Sequence, residues 1–192
     1  MSGIFLDSPV EGLQYETPTI QGTTDSQGHF SYHEGEVIHF HVGDIDLGQT
    51  NGQEIITPMH LADGVMDQNN PTAGNMLVFL QTLDADGDPT NGILITPGMQ
   101  QDAMGVHLDF SQDQNQFTTD ANWIEYMDSL KQNGIFSNHM THTPISTEQA
   151  WSHMQTTMQQ YGLSYPDSTG QGDQTMHGDS SGMGQGQALG PM

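Results

Sequence analysis

Cysteine is absent from this 192-residue chain, basic residues are reduced to Lys131 alone, and no apolar run approaches the roughly 20 residues needed to span a bilayer. The first absence excludes a disulfide framework and any thiolate site for zinc or an iron–sulfur cluster. The second leaves 24 acidic residues almost unopposed, with a formal net charge of -23. Such a surface repels phosphate, which excludes nucleic acid and insertion into an anionic membrane, and it attracts cations. Gly-x-Ser-x-Gly, His-Glu-x-x-His and phosphate-cradling glycine loops are missing too, so no enzyme is expected.

What remains reads as one domain of ordinary size with a tail. Val37-Ile38-His39-Phe40-His41-Val42 alternates strictly, so Ile38, Phe40 and Val42 share a core face while His39 and His41 share the other. Gly28, Gly35, Gly43 and Gly48 punctuate this region at turn-like intervals, with Thr24–Gly28 and His33-Glu34-Gly35 as hairpin turns. After Pro58 the period lengthens. Asn70-Pro71 is an N-cap and first helical residue for a helix whose 75–83 stretch is too apolar for a surface. A second helix starts at Asp120, presents Trp123, Met127 and Leu130, and stops at Asn133-Gly134. A third follows the capping box of Ser146 and Gln149, with Trp151, Met154, Met158 and Tyr161 as its apolar stripe. The expected fold is therefore α+β: a small antiparallel sandwich over 1–57, a helical part with about three helices over 58–165 joined to it in one globular unit, and a disordered Gly/Gln/Met tail over 166–192.

Ten His and thirteen Met suggest a metal. Their densest run spans His139-Met140-Thr141-His142, then His153-Met154, Met158 and Met176-His177. Imidazole and thioether are what a protein without thiolate offers Cu(I). A second motif, Asp84-Ala85-Asp86-Gly87-Asp88-Pro89-Thr90-Asn91, sets carboxylates at alternating positions of a tight loop, as a Ca2+ site with six to eight oxygens requires. Asp84, Asp86 and Asp88 match the first, third and fifth places of an EF-hand loop, with Asn91 as a further oxygen donor. Gly87 falls at the fourth place and Ile95 at the twelfth, so the loop is of another type. The alternative is an acidic turn.

The sequence also resembles a module of secreted lipoproteins and surface proteins of Gram-negative bacteria. The resemblance is carried by Ser8-Pro9-Val10-x-Gly12-Leu13-x-Tyr15, by Gly22-x-Thr24-Asp25 with Gly28, Phe30 and Tyr32, and by Gly35-Glu36-Val37 with Phe40, Val42-Gly43 and Leu47-Gly48. Ile56-Thr57-Pro58, Leu83-Asp84-x-Asp86-Gly87-Asp88-Pro89 and Ala150-x-x-His153-Met154 continue it. In character it is similar to the methanotroph surface copper-binding proteins of the MopE and CorA type, which hold Cu(I) through two His and a Trp oxidised to kynurenine. What that likeness implies is a secreted or cell-surface monomer linked to copper acquisition, associated with the outer membrane, with its leader replaced by Met1. Trp151-Ser152-His153 fits the spacing of a modified Trp and a ligand His. His60 is the first choice for the second ligand and His107 the next. Each has a plain reading: His60 as a helix cap, His107 as an ordinary strand residue, His39 and His41 as an exposed face, and the Met stripe as core. The alternative function is a calcium-stabilised adhesion or structural module without a copper role.

Overall fold

The computed structural model describes residues 1–62, 67–136 and 143–163. The His139–His142 run and the tail from 166, with Met176 and His177, lie outside the described residues. The first part is built of short strands: β1 (Ser2–Phe5), β2 (Val10–Glu11), β3 (Gln14–Glu16), β4 (Gln21–Thr23), β5 (His29–Ser31), β6 (Val37–Val42), β7 (Ile45–Asn51) and β8 (Ile55–Ile56). A four-stranded antiparallel sheet runs β4-β3-β6-β7, and a three-stranded one runs β5-β1-β8. As the alternation of β6 requires, Ile38, Phe40 and Val42 are all fully buried. Phe40 meets Phe5 of the other sheet with ring centres 4.8 Å apart and Phe30 at 5.4 Å. Those rings are the centre of the sandwich. Gly28 and Gly35 end their turns at φ 76 and 80, a conformation that costs glycine little.

The sandwich is not purely antiparallel. β1 pairs β8 in parallel, and β2 pairs in parallel with β9 (Ile93–Leu94), a strand inside the part expected to be helical. Six helices are present among the described residues: α1 (Pro58–Leu61), α2 (Pro71–Leu83), α3 (Pro97–Asp102), α4 (Gln114–Thr118), α5 (Ala121–Gln132) and α6 (Thr147–Gln160). The three long ones begin at the expected caps: Asn70, Asp120 and Ser146 each accept backbone N–H bonds from the first turn. Ala73 to Leu83 of α2 are all buried, so α2 is the axis against which the other layers pack. One face meets the sandwich and Trp123 of α5. The other meets Ala150, Trp151, Met154 and Met158 of α6, together with Met59 of α1. Tyr161 departs from the expected stripe. It caps the C-terminus of α6 and is 40% exposed, because the helix has outrun the surface it packs on.

No helix among the described residues is long and apolar enough to cross a membrane.

Candidate functional site

The acidic loop begins where α2 stops. Asp84 is the C-cap, 1% exposed, and its Oδ1 accepts the Leu94 N–H at 2.9 Å, tying the loop to β9. Its other oxygen, Oδ2, is buried with no hydrogen-bond partner. Burial pushes the Asp84 carboxyl up to about 6; the Leu94 N–H opposes this, and the neighbouring Asp86 carboxylate adds to it. Asp86 accepts from Asp88 N–H at 2.9 Å and from the Asn91 side-chain amide at 3.1 Å. Those bonds hold its pKa below the usual carboxylate range, Asn91 contributing most. Asp84, Asp86 and Asn91 are thus drawn together. Asp88 is turned away: its Oδ1 caps the 3-10 turn Pro89–Asn91 by accepting from Thr90 N–H at 3.2 Å.

A further buried carboxyl was not signalled by the loop motif. Asp7, fully buried between β1 and β2, accepts from the Gln81 amide at 2.8 Å, yet Asp7 Oδ2 and Gln81 Oε1 both lack partners. Burial raises the Asp7 pKa well above the ordinary value. A fully buried Asp so close to the N-terminus has no sequence signature, since Asp7-Ser8-Pro9 reads as a turn.

The copper candidates make separate contacts. His153 projects from α6 onto the loop after β1, with Nε2 2.9 Å from Ser8 Oγ. Because Ser8 Oγ donates to the Pro89 carbonyl at 2.7 Å, the imidazole N–H is the donor in the Ser8–His153 bond, and Ser8 is not an activated nucleophile. His153 thereby ties α6 to both the N-terminal loop and the acidic loop. Burial lowers its pKa, while bonding to the Asp7 carbonyl and the charge of Asp88 raise it. Trp151, 7% exposed, faces elsewhere: its Nε1 is 3.2 Å from where a Cβ on Gly74 would stand. The two side chains line different hollows, His153 with Thr90 and Glu148, Trp151 with Asn70 and Asp113. His60 serves as a cap: its Nδ1 accepts the Thr57 N–H at 3.1 Å and lies 2.9 Å from Thr57 Oγ1. Burial lowers its pKa, which favours the neutral acceptor form. That lone pair is already used.

No family model, curated protein or solved structure matches this chain. Among the described residues no three His, Asp or Glu converge as a preformed metal cage. What the fold does bring together is His107 with His39 and His41, in one open hollow of about 300 Å³ beside Glu16, Asp44 and Asp46.

Proposed function

We propose that this chain is a calcium-stapled binding module of a secreted or cell-surface protein, with Ca2+ held at the Asp84–Asn91 loop. The observation that supports it is the buried Asp84 oxygen without a partner, beside Asp86 and Asn91. A buried acceptor left unpaired costs about 1–3 kcal/mol, and more when it is charged, unless something supplies the missing partner. A cation does so here, and it also offsets the repulsion between Asp84 and Asp86. Asp88 joins the ligand set by giving up its bond to Thr90, or supports the loop as its cap. The remaining Ca2+ ligands come from water and loop carbonyls, an open arrangement of the low affinity that suits an exterior rich in calcium.

Stapling at this place holds α2, β9 and β2 in one frame, since Leu94 N–H binds Asp84 while β9 pairs β2. Calcium at 100 times its dissociation constant adds about 2.7 kcal/mol of stability. For a protein of this size that is a rise of about 5–10 °C in melting temperature. Thermal melts with chelator and with added Ca2+ test the assignment: the expected shift appears in the native chain and is lost in Asp86→Ala. Superimposed curves for the native chain would reduce the loop to an acidic turn. Copper acquisition is the second reading, favoured by the gathering of three imidazoles in one hollow.

A further inference from the structure

The hollow on the β6–β7 side owes its existence to a docking event between distant segments. The β6–β7 turn, Gly43-Asp44, lies against the end of α3: Asp44 N–H donates to the Ala103 carbonyl at 3.3 Å, and Asp44 Oδ2 accepts the Gly105 N–H at 2.7 Å. There is no room for a side chain at the turn, since a Cβ on Gly43 would come within 2.5 Å of the Gln100 carbonyl. This close seat delivers the segment after α3, and His107 with it, to the face of β6 that carries His39 and His41.

Two features prepare these rings for an ion. First, His41 Nδ1 lies 2.9 Å from the Gly43 carbonyl, which only accepts, so Nδ1 bears the proton and the lone pair is on Nε2. A ligating His is held in the same way by a carbonyl or carboxylate on its other nitrogen. Second, His39 has a carboxylate at each end: Glu16 Oε1 at 3.3 Å from Nδ1 and Asp46 Oδ1 at 2.7 Å from Nε2. In the metal-free protein the shorter contact is the N–H of Nε2 donating to Asp46; once an ion displaces that proton to Nδ1, toward Glu16, Nε2 and Asp46 are left as adjacent ligands for it. The rings of His39 and His41 stack with centres 5.6 Å apart. Two imidazoles bound to one ion at about 2.0–2.1 Å have ring centres about 5–6 Å apart. The His107 ring has no hydrogen bond among the described residues and is exposed beside them.

We infer that His39, His41 and His107, with Asp46 as the oxygen donor and Glu16 holding His39, form a surface site for a late first-row divalent ion, Cu2+ before Zn2+. Imidazole with carboxylate suits both ions, and the general order of affinity places Cu2+ above Zn2+. The ion replaces the proton shared between His39 and Asp46, and side-chain rotations within the hollow bring His41 and His107 onto it. The surrounding charge of -23 draws cations toward the hollow. This site is independent of the calcium loop and uses none of its residues.

The test is titration of the full chain with Cu2+ in the presence of excess Ca2+, followed by calorimetry and by electron paramagnetic resonance. One Cu2+ per chain with hyperfine coupling from at least two imidazole nitrogens is expected. His41→Asn and His107→Asn should each weaken binding by about tenfold or more, and Glu16→Gln by about tenfold through His39. His60→Ala and His153→Ala should leave it unchanged. Unaltered melting curves of the metal-free variants establish that the fold is intact. Undiminished affinity in both His41→Asn and His107→Asn, or coupling to a single nitrogen, would overturn the site. Loss of Cu2+ binding in His60→Ala or His153→Ala alone would transfer it to the helical part.

Discussion

Asp7 and Asp84 are carboxyl groups carried almost wholly out of water, and each keeps one oxygen unpaired. The folded state holds their protons more tightly than the unfolded chain does. Their contribution to stability is therefore fully present below the ordinary value of 3.8, and is lost as pH rises through the folded values, about 6 for Asp84 and well above the ordinary value for Asp7. His60 and His153 act in the opposite sense. Burial lowers both from 6.5, so their contribution is complete above 6.5 and is lost as pH falls from there through the folded values. Without calcium the two trends oppose each other between 3.8 and 6.5, the carboxyl groups favouring the acid side and the imidazoles the neutral side. Asp7→Asn keeps an oxygen for the Gln81 amide and removes the charge, so it should flatten the decline toward neutral pH. Melting temperatures across a pH series in chelator check this; identical slopes for the native chain and the variant would refute it.

Among the elements, the strand pair β2–β9 depends on contact closer than any side chain allows. Gly12 follows β2 at φ 79, and a Cβ there would stand 2.0 Å from the Ile95 carbonyl. Gly12→Ala should destabilise the protein by at least about 1–2 kcal/mol from backbone conformation alone, with the steric clash in addition. Denaturant unfolding measures it. The long elements were legible because their signals are local. β6 shows itself by alternation, α2 by Asn70-Pro71, and α6 by the Ser146–Gln149 box, and each lies where these residues indicate. The helices α1, α3 and α4 were not, since four to six residues give no period to read. Nor was β9, two residues long and paired with a strand more than 80 positions earlier. Spacing points to the loop carboxylates, although Asp88 turns to Thr90, whereas the grouping of His39 and His41 with His107 arises only when the β6–β7 turn seats on α3, a contact 61 positions apart.

Over the whole molecule, charge is the dominant fact. The ion pairs among the described residues are all His with a carboxylate, at His29–Asp25, His39–Glu16 and His39–Asp46, and these do little against a net charge of -23. Mutual repulsion among exposed carboxylates extends about 30 Å at 0.01 M salt and about 8 Å at 0.15 M. Raising sodium chloride between those limits, with chelator present, should raise the melting temperature, and a flat response would show that repulsion is not what limits stability. The Ser8 hydroxyl has a different consequence, in the order of assembly. It lies between the Pro89 carbonyl, 81 positions away, and the His153 ring, 145 positions away. During synthesis the first strands emerge long before either partner exists, and β2 waits for β9 with its backbone edge unpaired. Until α6 has left the ribosome, the face of α2 built from Leu77 and Val78 remains uncovered. The Ser8 contacts close only when the two ends of the described chain meet, and such long-range closure slows folding.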